Sequence, residues 1–220
     1  MNRYERKFLA KDLHQITPYL LNNNFLRAYP SRTITSIYYD TEDYSCFFES
    51  EDGNSIRKKI RIRFYDDNIN DLKLEIKFKN SDLGHKKFTD PKLLLLNNKS
   101  RICIPSISRK NNMINLELPK IIGLFFSPKL LIQYKRDYFV SYAQHVRVTL
   151  DYNLRFSPII NKDTKILKTQ FHETLDKVVE IKYDEQINEP KIINNLSNKF
   201  NLTFSRFSKY CLGMRTSMQS

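Results

Sequence analysis

Lys59-Ile60-Arg61-Ile62-Arg63-Phe64-Tyr65 decides the architecture of this chain. Cationic and apolar residues alternate at period two, the spacing of a β-strand whose successive side chains leave on opposite faces. Ile60, Ile62 and Phe64 then share an apolar face, and Arg61 and Arg63 share a charged one.

The same alternation extends outward in both directions. It recurs in residues 72–79 (LKLEIKFK), 130–140 (LLIQYKRDYFV), 146–152 (VRVTLDY) and 178–183 (VVEIKY), and in 33–40 (TITSIYYD) and 3–8. Helical spacing falls between these strands, over 12–23 (with Pro18 kinking or restarting it), after an N-cap at Thr41, and over 90–96, 113–126 and 189–200. Many antiparallel strands with helices outside them, and no regular β-α-β alternation, give an α+β class. Residues 1–220 are read as one domain without a linker.

With 37 Lys and Arg against 24 Asp and Glu, the net charge of +13 points to a polyanionic partner. The start of the chain has no apolar segment of the secretory type, and the greasy stretch 121–132 is interrupted by Gly123, Pro128 and Lys129. A cytoplasmic location is expected. Cys46, Cys103 and Cys211 form no C-x-x-C pair, and His14, His85, His145 and His172 lack metal-ligand spacing, so neither set is assigned chemistry.

The polar faces collect Arg3, Glu5 and Lys7; Arg61 and Arg63; Glu75, Lys77 and Lys79; Arg147, Thr149 and Asp151; and Glu180 with Lys182. On any single strand this is an ordinary solvated face. Across all of them the density of arginine is unusual, and its planar fork suits phosphate oxygens. The interspersed glutamates either orient the bases or bind a divalent cation, since Mg²⁺ takes one or two carboxylates together with phosphate oxygens. Only four glycines occur, and neither a P-loop nor a G-x-G-x-x-G cradle can be written. Side chains, not loop amides, must hold the anion.

The order of motifs then carries a resemblance. Residues 3–8 (RYERKF), 36–41 (SIYYDT), 59–65 (KIRIRFY), 74–77 (LEIK), 134–136 (YKR), 147–151 (RVTLD), 180–183 (EIKY) and 206–210 (RFSKY) resemble the VTC domain. That is the catalytic domain of the vacuolar transporter chaperone polyphosphate polymerase, within the triphosphate tunnel metalloenzymes (the CYTH superfamily). The resemblance implies an eight-stranded antiparallel β-barrel tunnel. It implies transfer of the γ-phosphate of ATP to polyphosphate, with Mn²⁺ or Mg²⁺ as cofactor. Position by position, Lys7, Arg61, Arg63, Lys77, Arg147 and Lys209 would bind phosphate, and Glu180 would hold the metal. Arg3, Glu5, Lys79, Arg136, Lys182, Arg206 and Ser208 would line the substrate. Arg206 stands where the family tends to carry lysine. Arg3 replaces the first glutamate of the Glu-x-Glu-x-Lys motif of the tunnel phosphatases, which favours polymerase over hydrolase.

Two other readings remain. A tripolyphosphatase or nucleoside triphosphatase would use the same residues with water as acceptor. A noncatalytic binder of polyphosphate or nucleic acid would use the positive charge and the 13 tyrosines and 15 phenylalanines for stacking. The aromatics alternate into the apolar faces, so core packing is their expected role and nucleic acid is not the expected partner. A separate membrane partner stays open, and so does the oligomeric state.

Overall fold

In the computed structural model, residues 3–66, 68, 71–80, 83–89, 101–103, 113–115, 126–143, 145–159, 171–184 and 190–218 are described, with backbone alone for 3, 80, 83–89, 101–103 and 113–115. In chain order the elements are β1 (Arg3–Ala10), α1 (Ile16–Asn22), β2 (Phe25–Asp40), α2 (Ser45–Glu51), β3 (Ile56–Tyr65), β4 (Lys73–Asn80) and β5 (Leu83–Thr89). They continue with β6 (Arg101–Cys103), β7 (Met113–Asn115), β8 (Ser127–Ser141), β9 (Val146–Pro158), β10 (His172–Glu173), β11 (Lys177–Asp184), α3 (Lys191–Lys199), β12 (Thr203–Phe204) and α4 (Lys209–Met218).

Each alternating segment forms a strand, and β1 with β11, β11 with β9, β2 with β3, β3 with β4 and β4 with β5 pair antiparallel. The hydrogen-bonded order is β12-β1-β11-β9-β8-β2-β3-β4-β5, with β10 beside β9; β6 and β7 form a separate pair. An antiparallel sheet with few helices is therefore the architecture, as expected. The sheet has ten strands instead of eight, and it is not closed into a barrel among the described residues. At one end of the path β12 contributes only two residues, both taken up by Phe8 and Leu9 of β1.

Two compact units divide the chain: 1–33, 134–154 and 173–208, and 34–133, 155–172 and 209–220. In the first, Phe8, Val146, Val148, Leu150, Val179 and Ile181 form one apolar face, covered by Ile16 and Leu20 of α1 and Ile193 and Leu196 of α3. Fully burying each such side chain contributes about 1.5–3 kcal/mol. The helices thus cover the face opposite the charges. In the second unit Ile37, Tyr39, Ile60, Ile62, Phe64, Leu74 and Ile76 pack together with Leu131.

Local hydrogen bonds correct several helix boundaries. The expected helix over 12–23 starts at Ile16, because Asp12 Oδ1 accepts the His14 N–H at 3.1 Å and holds that stretch in a turn. Pro18 lies in the first turn, where its missing N–H costs nothing, and does not kink α1. Thr41 acts near the start of α2, its hydroxyl accepting the Ser45 N–H at 2.9 Å, but the residue at the N-cap is Tyr44, with φ 58°. The helix expected over 113–126 is overturned at its start: Met113–Asn115 is β7, with Ile114 paired to Ile102 of β6. A three-residue ladder of backbone bonds outweighs a weak helical pattern there. The helix expected over 90–96 lies outside the described residues. By contrast, α4 gives only a weak helical signal in sequence, because its buried residues, Tyr210, Cys211, Gly213 and Met214, include a glycine and are followed by the polar run Arg215, Thr216 and Ser217.

Candidate functional site

In the first unit the antiparallel registers set charges side by side. Lys7 lies opposite Glu180 and Glu5 opposite Lys182 across β1 and β11, while Glu180 meets Thr149 and Lys182 meets Arg147 across β11 and β9. Lys7 Nζ is 2.9 Å from Glu5 Oε1 and donates to the Phe207 carbonyl at 3.3 Å. The Ser205 N–H donates to the Lys7 carbonyl at 3.0 Å, so the backbone leading to Ser208 is tied to β1. Lys182 Nζ touches both Glu180 Oε1 and, at 3.6 Å, Glu5 Oε2. Burial opposes the charge on Lys182, but Glu180 and Glu5 outweigh it and raise its pKa.

Arg136, from β8, anchors this network. Its Nε and Nη2 donate to the two oxygens of fully buried Asp151 at 2.5 and 2.7 Å, and Nη2 also lies 3.8 Å from Glu180 Oε2. Burial pulls its pKa down; Asp151, Tyr134 and Glu180 overcome that and hold the guanidinium charged well above the ordinary arginine value. Its guanidinium also lies 5.4 Å from the Tyr134 ring centroid. Arg136 is thus spent mainly on holding Asp151 and bordering Glu180. The Thr149 hydroxyl is buried without a hydrogen-bond partner among the described residues, next to Glu180 in the register. Arg147 is exposed and has no ion-pair partner among the described residues.

The second unit carries the other cluster. Arg61 pairs in register with Tyr38 of β2 and Glu75 of β4, and Arg63 pairs with Ser36. Arg61 donates from Nε to Glu75 Oε2 at 2.6 Å and from Nη1 to the Tyr38 hydroxyl at 2.8 Å. Arg63 donates from Nε to Ser36 Oγ at 3.1 Å, with Nη1 4.0 Å from Glu75 Oε2. One buried carboxylate therefore serves two guanidinium groups, which neutralises part of their charge and fixes both forks without closing them. Lys77 is exposed on the same face and Lys79 half-buried.

Of the residues expected from sequence, the structure brings Glu5, Lys7, Arg136, Glu180 and Lys182 into one network and Arg61 and Arg63 into another. Lys209 opens α4, preceded by half-buried Ser208, and Arg206 is exposed on the loop. Only the backbone of Arg3 is described, opposite Asp184. Glu75 and Asp151 emerge as the anchors of the arginines, and Tyr38 as a partner of Arg61 that the sequence reading did not single out. Period two within 36–40 would have placed Tyr38 on the face of Ser36; only the register places it against Arg61.

Among the described residues no group of three or more His, Cys, Asp or Glu is arranged to hold a metal ion. The oxygens on hand near Glu180 are its own carboxylate, that of Glu5 across Lys182 and the orphaned Thr149 hydroxyl, hard donors of the kind Mn²⁺ or Mg²⁺ takes when phosphate completes the shell.

The family model of the VTC domain matches residues 2–218, and the chain belongs to that family. Among solved structures, a candidate adenylate cyclase from Vibrio parahaemolyticus is similar over 96% of this chain and 97% of its own, with TM-score 0.50 and 12% identity, a likeness of fold. A protein from Pyrococcus horikoshii aligns over 97% of this chain and 99% of its own, at TM-score 0.49 and 16% identity. A candidate adenylyl cyclase from Hippeastrum, described as revealing a dominant triphosphatase activity, aligns over 98% and 96% at TM-score 0.49 and 17% identity. No curated protein matches the chain. Among the described residues no helix is long and apolar enough to cross a membrane.

Proposed function

We propose that the 220 residues act as one VTC-type domain that moves the γ-phosphate of ATP onto the end of a polyphosphate chain. The observation that carries this is the pair of arginines on β3, both fixed by Glu75 and both presenting planar donors from one strand face. Arg61, Arg63 and Lys77, with Lys7, Arg147 and Lys209, bind phosphate oxygens. Arg3, Glu5, Lys79, Lys182, Arg206 and Ser208 surround the substrates, while Arg136 positions Glu180 and Asp151.

Phosphoryl transfer asks the protein for alignment and charge stabilisation rather than a nucleophile of its own. A terminal oxygen of the acceptor chain attacks the γ-phosphorus, the bond to the bridging oxygen breaks, and ADP leaves with that oxygen. Guanidinium and ammonium groups neutralise the charge that grows on the equatorial oxygens. When bound, Mn²⁺ or Mg²⁺ at Glu180 would supply further neutralisation of phosphate charge.

Purified protein incubated with ATP and Mn²⁺ is expected to yield long polyphosphate and ADP, with the yield abolished in Glu180→Gln. Free phosphate without long chains would make water the acceptor and the enzyme a hydrolase. Neither product, with triphosphate still bound, would reduce the domain to a binder.

A further inference from the structure

Tyr38 stands out among the polar groups of the second unit by its unspent proton. Its oxygen accepts from Arg61 Nη1 at 2.8 Å, and that is the only hydrogen bond it makes among the described residues. A phenol can both accept and donate, so among the described residues the O–H hydrogen has no acceptor. The ring cannot readily turn away to find one: it is 6% exposed and stacked on Tyr210 at 5.0 Å and 14°. The Tyr210 hydroxyl is itself committed to Asp40. Glu75, the carboxylate in register with Arg61, receives the Arg61 Nε. A buried donor beside three cations, with no acceptor among the described residues, is what a site for an anionic oxygen looks like.

We propose that Tyr38 is a substrate-contacting residue whose hydroxyl donates its proton to an oxygen of the phosphate chain bound by Arg61 and Arg63. This rests on the reading of those arginines as phosphate ligands given above. The chain Arg61 to Tyr38 to phosphate makes each bond polarise the next. Facing the phenol are Arg61, Arg63 and Lys59 on β3, Glu75 on β4 and Tyr210 on α4, with Asp40 beyond the stacked ring. Burial pushes the phenol up, and Arg61, Arg63 and Lys59 pull it further down, to about 8. Below that pH it is a better donor than an ordinary tyrosine. Above it, the donor is gone and a phenolate sits on the guanidinium groups the phosphate needs.

Calorimetric binding of inorganic triphosphate to wild type and Tyr38→Phe, without metal, tests this from about pH 7 to about pH 9. A hydrogen bond to a charged group corresponds to about ten- to a hundredfold in affinity, so Tyr38→Phe is expected to bind that much more weakly near neutrality. The two affinities should converge as the pH rises past the phenol's titration. Equal affinity at neutral pH, or parallel pH profiles, would overturn the assignment. Fluorotyrosine placed at position 38 keeps the ring and its stacking, and its fluorine resonance should titrate at higher pH when triphosphate is added; an unmoved titration also sinks the proposal. Arg63→Ala separates the two levels. If it binds triphosphate as wild type does, the arginine site itself is wrong; if it fails while Tyr38→Phe binds normally, only the role of Tyr38 is wrong.

Discussion

Asp151→Asn tests the buried ion pair on which the first charged network depends. Asp151 is fully buried and accepts two hydrogen bonds from Arg136, at 2.5 and 2.7 Å. The substitution keeps the shape but removes the charge, and one side of the amide now presents N–H groups to a guanidinium that can only donate. Removing one partner of a buried pair costs about 3–5 kcal/mol, because the other charge is left uncompensated. Glu180, 3.8 Å from Arg136 Nη2, compensates in part, so the lower end, about 3 kcal/mol, is expected. For a chain of this length each kcal/mol moves Tm by about 2–4 °C, which gives a fall of roughly 6–12 °C. Urea denaturation and calorimetry would measure it. Replacing both partners, Arg136→Met with Asp151→Leu, should recover at least half of the loss, since a packed apolar pair removes the buried charge altogether. A loss under about 1 kcal/mol for Asp151→Asn, or single and double effects that simply add, would refute the argument.

Three further outcomes are expected. Asp40, fully buried, accepts the Cys46 and Phe47 N–H groups at 2.9 and 3.0 Å and the Tyr210 hydroxyl, so Asp40→Ala should cost about 2–4 kcal/mol by uncapping α2 and stranding a phenol. It should also expose Cys46, whose thiol is pushed up to about 12 chiefly by burial and secondly by Asp40; a thiol reagent reacting no faster than with wild type would contradict this. Gly213→Ala would bring its Cβ to 2.7 Å from Leu130 Cδ2 and into the Phe156 ring, both fully buried, so a loss of about 1–3 kcal/mol should exceed the helix-propensity gain; a raised Tm would count against the packing. Tyr38 titrates at about 8 when folded against 10 in its ordinary state, so the folded chain binds fewer protons between those values and stability rises with pH there. Relative to Tyr38→Phe, wild type should gain about 2–3 kcal/mol across that window and lose it as the pH falls back through about 8; a flat difference in denaturation free energy would show that the arginines do not act on the phenol.

The strands and their two faces were legible in the amino-acid sequence because period two is a local property: Ile60, Ile62 and Phe64 must leave opposite to Arg61 and Arg63 in any extended chain. The order of short motifs likewise carried the family, which the match over residues 2–218 shows. Register and pairing were not legible, since they depend on which strands meet. Arg136 reads in sequence as one more cation for the substrate, yet the structure gives its fork to Asp151, fifteen residues away along the chain. Tyr38 and Tyr39 are neighbours with identical side chains; one lies against Arg61 and is drawn down, the other faces the apolar core and is driven up by burial. Nothing local distinguishes them except the parity of their positions, and only the pairing of β2 with β3 turns parity into chemistry. The same holds for α4, whose tyrosine, cysteine and glycine make no amphipathic stripe and become a helix through burial against Leu130 and Phe156. Sequence determined the strands, their charged faces and the family; tertiary packing decided which charges are spent on each other.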